Sequence, residues 1–114
     1  MSADQIAAMS PAISEVFSGG NDLCVTFAIA GQPASWVQFT NGAVNAAYPH
    51  AAEPGAILAT LHPVILEGWK AGQFLTVRMP SADAHGAATW IDKYFEKVLA
   101  AGASYAIDVK VQKL

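Results

Sequence analysis

The sequence predicts an α+β domain, and three observations predict it. Two segments repeat apolar residues every three or four positions, several short segments alternate them, and Asn41-Gly42 separates two of the alternating ones. In order they give an N-terminal helix, an antiparallel β-meander, a short helix, further strands, a long C-terminal helix and a final strand. Packing the helices on one face of the sheet buries both sets of apolar residues at once.

Ile6, Met9, Ile13, Val16 and Phe17 mark the stripe of the first helix. Ser2 with Gln5 has the spacing of a capping box, Gly19-Gly20 supplies the stop, and Ser10-Pro11 reads as a kink or restart. In LCVTFAIA, residues 23–30, Leu23, Val25, Phe27 and Ile29 share one face, and Cys24, Thr26 and Ala28 the other. Gly31-Gln32-Pro33 then turns the chain. Asn-Gly favours a type I′ turn because both central residues need positive φ. A turn at Asn41-Gly42 pairs Thr40 with Ala43, Phe39 with Val44, Gln38 with Asn45, Val37 with Ala46 and Trp36 with Ala47. This register sorts Phe39, Val44, Val37 and Ala46 onto an apolar face and Thr40, Gln38 and Asn45 onto a polar one. A slip of one residue would scramble both.

Glu53-Pro54-Gly55 opens a short helix carrying Ile57, Leu58 and Leu61, stopped before His62-Pro63. VILEGW, residues 64–69, suits either strand or helix. With QFLTVRM it flanks Lys70-Ala71-Gly72 as a second hairpin. Ser81 or Asp83 caps the long helix, whose stripe is Ala87, Trp90, Ile91, Tyr94, Phe95, Val98 and Leu99. Asp92, Lys93, Glu96 and Lys97 point outward, and Gly102 ends the helix. SYAIDVKVQ alternates, with Tyr105, Ile107, Val109 and Val111 opposing Asp108, Lys110 and Gln112.

A chain of 114 residues suits a single domain, 1–114. Its net charge is −3 and its six basic residues are scattered, which argues against nucleic acid, a partner that rewards clustered cations. No apolar run approaches the roughly 20 residues of a membrane helix, and the first residues read as an amphipathic helix rather than a signal peptide. Cys24 has no second cysteine to pair with, which suits a reducing cytoplasm. Charged residues are 13% of the chain, about half the ordinary share, while 54% is hydrophobic. That imbalance predicts apolar surface covered by another subunit or by a protein partner, with a homodimer the favoured form.

This order of elements, with WVQFTNGAVNAAYP in the meander and WIDKYFEKVL in the long helix, resembles type III secretion chaperones and the YbjN-like proteins. The resemblance implies a dimeric protein-binding module of chaperone-like or regulatory type. It carries over no functional residue. The terminal strand SYAIDVKVQ departs from the chaperone pattern, in which the last helix ends the domain.

Chemical motifs are absent: there is no P-loop, G-x-G-x-x-G, G-x-S-x-G, C-x-x-C or H-E-x-x-H. No cofactor is expected. His50, with Glu53 three residues on, could join His62 and His85 at a metal only if the fold converged them. The more ordinary reading is of loop histidines meeting water, and no metal site is assigned. An acid–base role for His50, or for His85 with Asp83, would need a pocket. Cys24, between core positions with no cation nearby, reads as a small hydrophobe. The candidate binding residues are Trp36, Gln38, Asn45, Tyr48, His50 and Trp69. Gln38 and Asn45 have the alternative of a plain polar hairpin face. Trp36 needs cover from the first helix, a dimer mate or a ligand. Two functions compete: a non-enzymatic protein-interaction module acting as a homodimer, and a small-molecule binder or modest enzyme with a pocket near Trp36, Tyr48, His50 and Trp69.

Overall fold

The computed structural model describes residues 3–19, 22–40, 43–61, 64–79, 83–100 and 105–113. Ser2, Gly20, the Asn41-Gly42 turn, His62-Pro63, Ser81 and Gly102 lie outside the described residues. The elements run α1 (Ala3–Ser18), β1 (Leu23–Ile29), β2 (Gln32–Thr40), β3 (Ala43–Ala47), α2 (Gly55–Leu58), β4 (Ile65–Lys70), β5 (Phe74–Arg78), α3 (Ala84–Lys97) and β6 (Ile107–Lys113). The strands form one six-stranded antiparallel sheet in the order β4-β5-β3-β2-β1-β6. Segment 65–70 is therefore a strand, and the predicted α+β order stands.

Alternation sets the core face. Val25, Phe27, Val37, Phe39, Val44, Ala46, Leu75 and Val77 point to one side and are fully buried. Against them pack Met9, Ile13 and Val16 of α1 and Ala87, Trp90, Ile91, Tyr94 and Phe95 of α3. Phe17 meets Phe39 edge to face, and Trp90 stacks on Tyr94 at 5.3 Å. The pairs Thr40–Ala43, Phe39–Val44, Gln38–Asn45 and Val37–Ala46 follow the predicted register.

Three details differ from the reading of the sequence. Helix α1 runs through Pro11 without a restart. Pro11 lacks the N–H that would bond back one turn, yet the buried stripe spans the break and Ser10 Oγ donates to the Ile6 carbonyl at 2.8 Å. Asp92 does not face water; it is 4% exposed and accepts a 2.8 Å hydrogen bond from the Tyr105 hydroxyl. Gln5 reaches Tyr105 as well, donating to its carbonyl at 2.9 Å. Helix α3 ends at Lys97 rather than at a glycine, with Ala100 taking the positive φ of 56° that lets the chain leave. At its start Asp83 caps the helix by accepting from Gly86 N at 2.7 Å.

Two irregularities decide where aromatic residues go. Between Ala28 and Ile29 the β1–β2 register shifts, so that Ile29 pairs with Gln32 but Ala28 with Trp36. In β4 a bulge falls between Leu66 and Gly68: Leu66 pairs with Val77, yet Trp69 pairs with Leu75. Leu66 and Trp69 are three residues apart and still share the core side. The β4–β5 turn follows, with Gly72 at φ 70° and Gln73 N donating to Lys70 O.

Candidate functional site

The six candidate residues fall into two groups on opposite sides of the sheet. Tyr48, His50 and Trp69 gather at the core-side end of β3, where Tyr48 meets His50 at 5.4 Å and Trp69 at 6.1 Å, both edge to face. Trp36, Gln38 and Asn45 lie on the other face, as the pairings Ala28–Trp36, Thr26–Gln38 and Gln38–Asn45 require.

The first group is a fastening. Tyr48 is buried and its hydroxyl donates to the Ala52 carbonyl. Burial, with the Glu53 carboxylate nearby, raises its phenol above the ordinary value of 10.0, so it stays a neutral donor. His50 Nε2 lies 2.7 Å from the Val98 carbonyl, one of the unpaired carbonyls at the end of α3. Tyr48 N donates to Gln73 O, and Gly72 N to His50 O. From the helix side, the Tyr94 hydroxyl donates to Ala47 O at 2.7 Å. The loop after β3 is thus tied to α3 and to the β4–β5 turn, and the imidazole is engaged in that tie. Among the described residues no three His, Cys, Asp or Glu side chains converge as a metal site.

His85 and Asp83 border an open depression of about 600 Å³ with Ser14, Phe17, Ser18 and Ala84. Serine, histidine and aspartate side by side suggest nucleophilic chemistry, but such chemistry needs hydrogen bonds linking nucleophile to base and base to orienter. Asp83 is instead bonded to the Gly86 amide as a helix cap, and Thr89 Oγ1 donates to the His85 carbonyl. The depression has the residue types of a triad without its connections.

The second group belongs to a continuous surface. Both long helices lie on the core side, and among the described residues no element crosses the opposite face. Three rows of side chains run across it. In the middle row Thr76 donates to Asn45 Oδ1 at 2.5 Å, and Gln38 Nε2 lies 3.4 Å from Thr26 Oγ1 and 3.9 Å from Cys24 Sγ. Polar groups that bond in pairs between neighbouring strands need less water. On one side lies Phe74–Ala47–Trp36–Ala28, with Phe74 38% exposed and Ala47 covered to 6%. On the other lies Ile65–Arg78–Ala43–Thr40–Cys24, with Ile65 54% exposed and Cys24 buried. Among the described residues, charges stand only towards the two edges of this face. Arg78 pairs with Glu67 at 3.1 Å, a contact that raises the guanidinium further above its usual range, and Lys70 lies beside Phe74. At the far edge β6 presents Asp108 and Lys110.

Gln38 and Asn45 therefore matter as parts of a ladder. The residues the sequence reading missed are Phe74, Ile65 and Thr76. Their signal was available in the alternation of QFLTVRM, once β5 is paired with β3. Comparison with protein-family models, with curated proteins and with solved structures finds no match for this chain.

Proposed function

We propose that this chain is a non-enzymatic protein-interaction module, chaperone-like or regulatory, that works as a homodimer through the open face of its sheet. The observation that supports the reading is the character of that face. It is broad, its centre carries no charge, its polar groups bond one another, and Trp36, Phe74 and Ile65 stand on it with no helix over them. Six strands at about 4.8 Å spacing and some 20 Å long offer on the order of 500 Å² of plane before side-chain relief is counted. A standard interface takes about 800 Å² from each partner, so relief and edges must contribute. Helix α1 lies on the other side of the sheet, so among the described residues no helix covers the half-buried Trp36. The scarcity of charge points the same way, and the lone Cys24 suits a reducing, cytoplasmic setting. Among the described residues no helix is long and apolar enough to cross a membrane. The pocket reading weakens because it needs Trp36 beside Tyr48, and the sheet lies between them.

Light scattering during gel filtration tests this. The expected mass at low micromolar concentration is about twice the 11.9 kDa chain, and Trp36→Glu, which puts a charge in the aromatic row of the face, shifts it toward monomer. A single 11.9 kDa species across a hundredfold dilution series removes the homodimer from the reading.

A further inference from the structure

The open face is complementary to itself in one orientation. We infer that the second copy packs face to face about a two-fold axis parallel to the strands and passing between β2 and β3. This inference rests on the homodimer reading and specifies its geometry. Rotation about that axis exchanges the two halves of the sheet while keeping each row at its own level. It lays β3 on β2, β5 on β1 and β4 on β6 of the second copy, following the strand order β4-β5-β3-β2-β1-β6.

Shape and charge match in two of the three rows, while the third sets Arg78 over Cys24 and Ile65 over Gln112 of the second copy. In the aromatic row, Trp36 sits over Ala47 of the second copy and Phe74 over its Ala28, each large ring against a small residue. At the end of the same row Lys70 meets Asp108 of the second copy, since Lys70 is level with Phe74 and Asp108 with Ala28. In the middle row the polar ladders meet: Asn45 over Gln38 and Thr76 over Thr26. At their ends Glu67, at the β4 bulge, approaches Lys110 of the second copy. Symmetry makes each of these contacts twice. Aligned sheets cross at about 30°, which displaces the edges by several ångströms, and Lys70, Glu67 and Lys110 are long enough to follow.

The alternative two-fold axis, across the strands, fails on both counts. It lays β6 on β6 and sets Lys110 against Lys110, and it turns Phe74 onto Arg78 and Lys70 onto Ile65. Like charges facing across an interface oppose that arrangement.

Charge exchange tests the orientation. At low salt, where the screening length exceeds about 10 Å, Lys70→Glu and Asp108→Lys each set like charges together twice. Sedimentation equilibrium should show each single variant dissociating at about tenfold or more higher concentration than the unmodified chain. The double variant Lys70→Glu/Asp108→Lys should regain the original affinity. An equimolar mixture of the two single variants should form a mixed dimer, because both of its edge pairs are again opposite in charge. Both residues are exposed, so circular dichroism should show unchanged folding in every variant. A dimer weakened by Trp36→Glu but indifferent to the single exchanges overturns the orientation and leaves the homodimer standing. Single variants that weaken without rescue in the double overturn it too. A monomeric unmodified chain overturns the homodimer itself.

Discussion

On β2, Val37 and Phe39 are sealed from solvent, while Trp36, Gln38 and Thr40, interleaved with them, are half-covered. The same comparison holds on β3, where Val44 and Ala46 are sealed and Ala43 and Asn45 are half-covered. The core face is closed by helices whose side chains fill it, so its stability depends on volume. The open face is closed by neighbours within its own layer: a threonine on an asparagine, a glutamine on a threonine, two rings flanking an alanine. What this teaches is that half-burial has two origins. Truncating the first kind should cost stability; truncating the second should cost little of it, and under the proposed function would weaken the contact with a partner.

Variants on the two sides should separate these origins. The largest effect is expected at Phe95, fully buried beneath the sheet: Phe95→Ala should cost about 3–5 kcal/mol by denaturant unfolding, and Lys93→Ala on the same helix under about 0.5. Equal costs would mean that α3 does not carry the core.

Next comes the tie between helix and sheet. Tyr94→Phe leaves the buried Ala47 carbonyl without its donor, for a loss of about 1–3 kcal/mol. Burial also raises the Tyr94 phenol above its ordinary value of 10.0, which gives the loss a pH signature. A phenol raised in the folded state stabilises fully below pH 10 and progressively less above it, because the unfolded chain ionises first. Stability of the unmodified chain should therefore decline above pH 10, and the decline should be shallower in Tyr94→Phe. Parallel pH curves would show that this hydroxyl is not held neutral by the fold.

The smallest effect on folding is expected on the open face. Phe74→Ser should cost under about 1 kcal/mol when unfolding is measured at a concentration where the chain is monomeric. In the proposed face-to-face dimer its ring would sit over Ala28 of the second copy, so the same variant should weaken self-association. A loss as large as that of Phe95→Ala would make the second face a core in its own right.

The comparison also shows what the sequence could tell. The β2–β3 register was legible because Asn41-Gly42 offers one turn, and only one register keeps Phe39 and Val44 together. The long helix was legible from its stripe, except for Asp92. Charge marked it as a solvent residue, while its partner Tyr105 arrives from beyond the helix, a long-range encounter that periodicity does not encode. The six candidate residues looked like one group because five of them lie within residues 36–50. Strand parity separates Trp36 from Tyr48, and the bulge between Leu66 and Gly68 moves Trp69 to the side of Tyr48. A bulge reverses alternation from that point on, and a lone glycine in a strand is weak notice of one. The proposed pairing of the open face with itself was not legible for another reason. It depends on strand order, and β6 joins the sheet beside β1, a neighbour far away in the chain.

That last pairing has a consequence for synthesis. Leu23 pairs with Lys113, and Ile29 with Ile107, so the ladder joins segments more than seventy residues apart in sequence. A chain that has paired β1 with β2 but not yet gained β6 presents the other margin of β1, Leu23–Ile29, as a row of unsatisfied amides and carbonyls. A nascent chain in that state can recruit a strand from a neighbouring nascent chain, because an exposed strand margin accepts any extended partner. Contacts between such distant residues also form late. The interval before β6 arrives is thus the stage at which this protein is most open to misassembly, and the stage at which a holdase gripping β1 would most improve its yield.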